Sequence, residues 1–511
     1  MSNNQNTDVI VVGAGPVGLV AGCELARRGV RVRVIDKLAQ PTDQSRAIAV
    51  HARSLDMFDR MGIVDEMLAT GVKAIAMQMH TGGRDLFRVP FGEVDSAFPF
   101  TLTTAQTETE RVLNERLQSF GVTVERGVEL IELSQDDDGV IMRVRGRGGA
   151  RYDIRARYVL GCDGAAGGIR DQIGARYAGR SDPRPNFNLV FRAPSLDTPL
   201  GPAVQYWVLG AIPGLVGRLD LAGTWWAVIP GIEAAYGAAH ASDLITALLG
   251  APVPHELVAS DPWTAHMMIA DRFRDRRVFL VGESAHLNPP WGGHGFNTCV
   301  GDAVNIAWKI AAVEQGWASP ELLDSYDPER RGVVEQTVAS AEANMRSLAG
   351  ELPPDGPAIQ LAKRPEFHSL GLVLGYSYAG SPVIQPTAHH RGLVDVTHYT
   401  PSTEPGARLP HRWLPDGSSL YDRLGPGFSL VGPVRAAGPG VTTLTDLARR
   451  KGIPLSLVES QAHQAFLLVR PDQHIAGRAD DAADLDLDLA TGNRGTGIQT
   501  VSAVDSSASG D

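Results

Sequence analysis

The sequence predicts an α/β protein: a Rossmann-like dinucleotide-binding domain, an antiparallel sheet lobe inserted into it, and a small β/α unit behind both. Three observations carry that reading. The first is the stretch from Asp8 to Asp36. An apolar run (Val9 to Val12) meets Gly13-Ala14-Gly15-Pro16-Val17-Gly18, then an Ala- and Leu-rich segment to Arg28 and a second apolar run from Val30 to Ile35. That order is strand, glycine turn, helix, strand. The second is the gathering of Trp207, Trp225, Trp226 and Trp263, with several prolines and alternating apolar segments, between Ser181 and Asp271. Such a pattern belongs to antiparallel sheet. The third is length, since 511 residues allow two or three domains around a large core.

The glycine turn has a physical reason at each glycine. Gly13 permits the tight turn, Gly15 lets the backbone approach a pyrophosphate, and Gly18 lets helix and strand pack closely. The helix that starts there points free N–H groups and its positive dipole end at the phosphates. Asp36 closes the second strand, where a carboxylate accepts from the hydroxyls of an adenosine ribose. Its charge would repel a 2′-phosphate, which argues against NADP in this groove.

After the loop from Lys37 to Gln44, Ser45-Arg46-Ala47 precedes an amphipathic helix, Ala52 to Met61, stopped by Gly62. On position alone Arg46 is either a surface charge or a cation beside the cofactor. Short alternating segments from Ile75 to Phe100 suggest sheet of another region. Thr104 to Glu108 then opens a helix ending near Phe120-Gly121, and Val122 to Glu125 reads as a strand. Gln135 to Gly139 with Val140 to Arg145 is a hairpin signal. Tyr158 to Gly164 is a strand running into an Asp-Gly turn that could line the dinucleotide groove through Asp163.

Arg277 to Val281 is a strand, followed by Gly282-Glu283-Ser284-Ala285-His286 and a Pro- and Gly-rich loop through Pro290, Gly293, Gly295, Phe296 and Asn297. The loop leads into a helix from Thr298 to Val313. Prolines stiffen that approach and glycines permit close backbone contact. A helix N-terminus aimed from such a loop suits a group that gains negative charge, such as a reduced isoalloxazine. His286 reads as a core histidine in preference to a catalytic acid or base. Helices continue to about Leu348, and Pro353 to Gly356 is a break. From Gly406 a β/α unit runs through Phe428 to Val431, Leu444 to Lys451, Pro454 to Val458 and Phe466 to Val469. Beyond Arg478 an acidic and then Ser/Gly/Thr-rich tail is expected to be disordered.

Charge and composition exclude several classes. Lys plus Arg (47) against Asp plus Glu (58) leaves −11 with no long basic run, which argues against nucleic acid or anionic membrane as partner. No apolar stretch approaches a transmembrane span, and Met1 to Thr7 lacks the features of a signal peptide. A cytoplasmic location is expected. Cys23, Cys162 and Cys299 are far apart, with no CxxC and no metal-ligand spacing, so disulfides, zinc and a dithiol centre are not expected.

Assembled in this order, the segments resemble the single-component flavoprotein aromatic hydroxylases, the group of phenol, hydroxyphenylpropionate and aromatic polyketide hydroxylases. Gly13 to Gly18 with Asp36 matches their FAD fingerprint. Gly161-Cys162-Asp163-Gly164 with Arg170 matches their Asp-Gly motif, and Gly282 to Pro290 with Gly295-Phe296-Asn297 their second flavin segment. The resemblance implies FAD contacts from Gly13, Ala14, Gly15, Pro16, Val17, Gly18, Asp36, Lys37, Arg46, Gln106, Asp163, Gly282, Glu283, Pro290, Gly293, Gly295, Phe296 and Asn297. Arg46 stands at the family's mobile-flavin arginine and is the one catalytic candidate. Gln205, Tyr206, Trp226, His266 and Pro290 are the substrate-binding candidates; no metal is expected.

The implied organisation is an FAD-binding domain at 1–75, 101–180 and 272–380, a substrate-binding domain at 76–100 and 181–271, a thioredoxin-like C-terminal domain at 400–478, and a disordered tail at 479–511. Three positions depart from the family pattern: Glu283 replaces an Asp, Gly167-Gly168 replaces a Ser, and Gly477 replaces a Trp. The implied reaction is hydroxylation of a small phenolic or hydroxylated aromatic by O2 through a flavin C4a-hydroperoxide, with NADPH or NADH as transient co-substrate. A homodimer is allowed for. The rival readings are a flavin-dependent halogenase, whose WxWxIP pattern is incompletely matched by Trp225-Trp226-Ala227-Val228-Ile229-Pro230, and a non-catalytic flavin or ligand binder.

Overall fold

The computed structural model describes residues 7–43, 45–81, 84–92, 96–197, 200–201, 203–349, 356–387, 394–434 and 438–493. Residues 353–355 of the expected break and 494–511 of the expected tail lie outside the described residues.

The central sheet has the strand Thr7–Val12 flanked by Val32–Asp36 and Arg151–Gly161, all parallel; Glu125–Arg126 and Val278–Leu280 continue it outward. Val9, Ile10 and Val11 are wholly buried, as a parallel strand covered on both faces requires. The helix Pro16–Ala26 starts on a proline at its first turn, where the missing N–H costs no intrahelical bond. The helix Ala52–Met61 ends where Gly62 turns to φ 74°, the left-handed cap that glycine adopts without a Cβ penalty.

A second sheet of eight strands stands against the first. Its order is His286–Leu287, Glu256–Ala270, Tyr177–Arg192, Thr224–Pro230, Gly214–Arg218, Val204–Leu209, Ala76–Thr81 and Arg84–Pro90. The pair Ala76–Thr81 with Val204–Leu209 runs parallel; the pairings from Val204–Leu209 to His286–Leu287 are antiparallel. One face buries Phe187, Leu189, Phe191, Tyr206 and Trp225 against the helix Ala241–Leu249. The thioredoxin-like third sheet orders Leu455–Glu459, Phe428–Gly432, Phe466–Val469 and Ile475–Ala479, with the helix Pro439–Arg450 crossing between its two parallel strands. Among the described residues no helix is long and apolar enough to cross a membrane.

Three local expectations are corrected. The glycine-rich loop ends earlier than expected: the helix runs His294–Glu314, because Gly293 at φ 69° serves as its N-cap. The strand expected over Val122 to Glu125 is reduced to Glu125–Arg126. The chain past Arg478 is not disordered as far as residue 493. Leu485, Leu487 and Ala490 are buried, while Asp481 and Asp486 accept from Ala483 N–H and Leu489 N–H and cap the short turns between. Alternation of Asp with Leu was read as acidic tail; its leucines supply a packing face.

The third unit is joined to the first by buried charge. Glu329 is solvent-free and accepts from Lys309 Nζ (2.7 Å), Arg470 Nη1 and Nη2 (2.7 and 2.9 Å), Asn305 (2.7 Å) and Ser381 (2.7 Å). Burial alone would push its pKa up; Arg470 and Lys309 pull it down to about 2. Removing one partner of such a cluster leaves the others buried and uncompensated, at a cost of about 3–5 kcal/mol. Glu329→Ala is therefore expected to lose stability of that order in urea unfolding; a loss below ~1 kcal/mol would show that the cluster opens to water.

Candidate active site

Between the parallel sheet and the inner face of the second sheet lies a cavity of about 1320 Å3. Sites for one drug-sized ligand measure roughly 300–1,000 Å3, so this one has room for a second molecule. Its wall includes Gly13, Gly15, Pro16, Val17, Asp36, Lys37 and Asp163 from the dinucleotide sheet, and Glu283, Pro290, Gly293, Gly295 and Phe296 from the loop and helix after Val278–Leu280. Gln205, Trp226, Trp263 and His266 line it from the second sheet, with Arg46 and Gln106 at the loop between.

The glycine turn fits a pyrophosphate by direct test. Gly13 sits at φ 102°, and a Cβ there would fall 2.2 Å from the carbonyl oxygen of Cys162. A Cβ on Gly18 would fall 1.9 Å from the carbonyl oxygen of Gly13, so Gly18 closes the turn against the helix. At Gly15 an added Cβ meets nothing within 4 Å: that glycine faces open cavity. No side chain caps the helix above it, leaving the first-turn N–H groups for a ligand. Asp36 accepts from Ala14 N–H (2.6 Å) and Leu38 N–H (2.7 Å), with Arg126 at 3.5 Å. Asp163 accepts from Ile169 N–H through Oδ2 (3.0 Å), while its Oδ1 is buried without a partner. Burial holds the Asp163 pKa above its ordinary value. An orphaned acceptor beside the groove suits a ligand hydroxyl.

Residues 6–341 match the family model described as FAD binding domain. This chain belongs to that family, and it is an FAD-dependent aromatic monooxygenase. It is 31% identical over 92% of its length, and 90% of the relative's, to the 6-methylpretetramide 4-monooxygenase of Streptomyces rimosus. The 2,4-dichlorophenol 6-monooxygenase of Delftia acidovorans is 28% identical, over 93% of this chain and 95% of its own. Among solved structures, the flavin-dependent monooxygenase PieE with FAD and substrate superposes with a TM-score of 0.84 at 26% identity, covering 94% of this chain and 98% of its own. Aklavinone-11 hydroxylase with FAD and aklavinone gives 0.82 at 27%, covering 94% and 97%.

In this monooxygenase several of the expected residues are engaged with other parts of the chain. Ala14, Gly18, Gly282 and Asn297 do not line the cavity. Gly282 donates its N–H to Asp302 (3.2 Å), and a Cβ there would crowd Val17 at 3.0 Å. Asn297 accepts from His51 N–H (2.8 Å) and donates to the carbonyls of Ala49 (3.0 Å) and Gly293 (2.7 Å), tying two wall segments together. Gln106 reaches the cavity, but its amide oxygen accepts from Arg46 N–H (3.2 Å) and Ala47 N–H (3.1 Å), so it shapes the arginine loop. Tyr206 is a correction. Its neighbour Gln205 faces the cavity, so strand alternation turns Tyr206 to the other side, where its hydroxyl accepts from Gly201 N–H at 2.8 Å. His266 lines the cavity with Nδ1 paired to Ser181 Oγ at 2.7 Å.

The Arg46 guanidinium makes a two-point pair with Asp261 of the second sheet, at 2.8 and 3.1 Å. With side chains 57% and 21% exposed, the pair orients the arginine more than it stabilises the fold. His286 bonds Asp302 (2.7 Å) and Asn288 (3.0 Å) and stays off the cavity wall, in keeping with its core reading. His286, Cys299 and Asp302 bring donor atoms within 4.8 Å of one another, but both Asp302 oxygens are engaged by Gly282, His286 and Arg330. Burial raises the thiols of Cys162 and Cys299 well above their ordinary range, which makes both poor nucleophiles.

Sequence reading missed Trp291, Asn188, His51 and the segment Glu366 to Val373, from which Glu366, Ser369, Leu370 and Val373 reach the wall. Of these only Trp291, between prolines and glycines, carried a local signal. His51 lines the cavity and meets His294 edge to face at 5.1 Å. Burial lowers His51 from 6.5 to about 4, against the pull of a backbone hydrogen bond to Gly292, and lowers His294 from 6.5 to about 3, with His51 adding to it. Both folded values lie below the unfolded one. The unfolded chain therefore binds protons first on acidification, and the stability these rings contribute is complete above pH 6.5 and lost toward pH 3–4. Moving from pH 7 to pH 5 is expected to cost about 2 kcal/mol through His51, and urea unfolding of His51→Gln should show a pH slope smaller by that amount.

Proposed function

We propose that this monooxygenase uses NADH or NADPH and O2 to hydroxylate a polycyclic aromatic that already carries hydroxyl groups. The observation that carries the reading is the single continuous cavity, whose wall holds both the dinucleotide residues and the tryptophan-rich inner sheet. Its volume supports a multi-ring substrate over a lone phenol, as do the relatives named for 6-methylpretetramide and aklavinone. When bound, FAD supplies hydride acceptance from the nicotinamide and activation of O2.

The chain's own residues then bind, orient and exclude water. Gly13 to Gly18 and the helix start at Pro16 would hold the pyrophosphate, Asp36 the ribose, and Asp163 Oδ1 a hydroxyl of the cofactor chain. The N-terminus of His294–Glu314, capped by no side chain, offers N–H groups and a positive dipole end to the electron-rich ring. Trp226, Trp263, Trp291 and Phe98 wall off water, which protects a reactive oxidant from side reactions. His266, its ring held by Ser181, is the imidazole on that wall for taking a proton from a substrate hydroxyl. The relatives above are monooxygenases by name, which favours this reading over halogenase or passive binder.

Incubating the FAD-loaded protein with NAD(P)H, 18O2 and hydroxylated polycyclic aromatics should give substrate-stimulated NAD(P)H oxidation and one 18O atom per product. NAD(P)H oxidation that no aromatic accelerates, or product labelled from water, would defeat the proposal. Arg46→Ala is expected to keep FAD, since the glycine turn and Asp36 hold its other half, and to lower product formed per NAD(P)H, with H2O2 making up the difference. Unchanged coupling would return Arg46 to a surface role.

A further inference from the structure

We propose that the inner sheet wall and the Trp291 that packs on its Trp207 and Trp263 read acceptor oxygens: Gln205 Nε2, Trp226 Nε1 and Trp291 Nε1 bind carbonyl or ionised-phenol oxygens of the substrate. This deepens the proposed function and rests on it for the site's role. The three residues line the cavity, are 8%, 8% and 3% exposed, and each nitrogen is buried without a hydrogen-bond partner. Buried donors are nearly always paired, so three unpaired ones on one wall point to a ligand that completes them. An indole N–H donates and cannot accept. The ligand atoms opposite the two tryptophans must therefore be acceptors.

The sheet register brings two of the donors together. Trp226 lies opposite Gly217, and Gly217 lies next to the Tyr206–Val216 pair, in the position facing Gln205. A Cβ built on Gly217 would stand 2.9 Å from Trp226 Nε1. The indole thus lies across the glycine, and its N–H is carried over the middle strand toward that of Gln205. Two acceptors on the same wall are already committed. Asn188 Oδ1 accepts from Trp263 Nε1 at 2.6 Å, and Ser181 Oγ pairs with His266 Nδ1 at 2.7 Å.

The test uses two probes of equal charge and ring count, anthraquinone-2-sulfonate and anthracene-2-sulfonate, titrated calorimetrically into the FAD-loaded protein without NAD(P)H. The quinone is expected to bind about tenfold tighter or better, the scale of one or more added hydrogen bonds. In Gln205→Leu/Trp226→Phe/Trp291→Phe, which removes all three donors, the two probes should bind within about twofold of each other. Gln205→Glu, which keeps size and replaces the donor with an anion, should weaken the quinone by about tenfold more than the anthracene, since the repulsion of the sulfonate is common to both probes. Equal affinity of the probes for the wild type, survival of the preference in the triple variant, or equal weakening of both probes by Gln205→Glu would overturn the proposal and leave these donors to water. Flavin content of each variant reports its folding. Because no turnover is measured, failure here is separate from failure of the hydroxylation assay.

Discussion

The cavity depends on one buried carboxylate. Asp302 accepts from Gly282 N–H (3.2 Å), His286 Nε2 (2.7 Å) and Arg330 Nε (2.6 Å), and Arg330 in turn donates to the Thr298 carbonyl (3.0 Å) and the Tyr378 hydroxyl (3.0 Å). Burial would raise the Asp302 pKa; Arg330 and His286 hold it below the ordinary value. A solvent-free carboxylate is tolerable only when so paired. The pairing locks the loop after Val278–Leu280 to the first turns of His294–Glu314, and with them the wall from Glu283 to Phe296. One residue before Arg330, on the helix Tyr326–Ala349, Glu329 pairs with Arg470. Neighbouring helical residues point about 100° apart, so a single turn of Tyr326–Ala349 braces the flavin side and the thioredoxin-like unit together.

The two lobes share the cavity because the chain crosses between them more than once. Ala76–Thr81 leaves the dinucleotide region to pair in parallel with Val204–Leu209, and Glu256–Ala270 returns beside His286–Leu287 at the flavin loop. The Arg46–Asp261 pair spans the same boundary at its exposed rim. Interior ladders join the lobes, while the rim pair, open to solvent, adds little to that joint.

The departures from the family pattern have local physical accounts. A Cβ at Gly167 would lie 2.1 Å from the Asp163 carboxyl carbon, so the loss of a serine makes room for the carboxylate in its present rotamer. A Cβ at Gly477 would lie 2.6 Å from Gln385 Oε1 and 3.2 Å from Leu485. Gln385 accepts from Arg478 N–H (3.0 Å) and, with Leu485, occupies the space that a larger side chain at 477 would need. Glu283 is an exposed residue of the cavity lining, and its carbonyl accepts from the Tyr177 hydroxyl. The longer acid therefore still faces the groove from a backbone that Tyr177 holds.

Legibility followed the range of the forces. The glycine turn, the helix stop at Gly62 and the apolar run Val9 to Val12 were readable because φ, glycine sterics and strand burial are set by adjacent residues. The helix start at His294 and the packed Leu485 to Ala490 were not, because a cap glycine and an Asp-Leu alternation look like loop until something packs on them. Gln205 and Tyr206 mark the division most sharply. The sequence by itself determined that they face opposite ways, since strand side chains alternate; tertiary structure alone decided that Gln205 has the cavity. Likewise sequence marked Arg46 as a charge, but its partner Asp261 lies 215 residues away, and Arg470 meets Glu329 across 141 residues. Pairing at that distance is decided by how the sheets and helices pack, which no local pattern encodes.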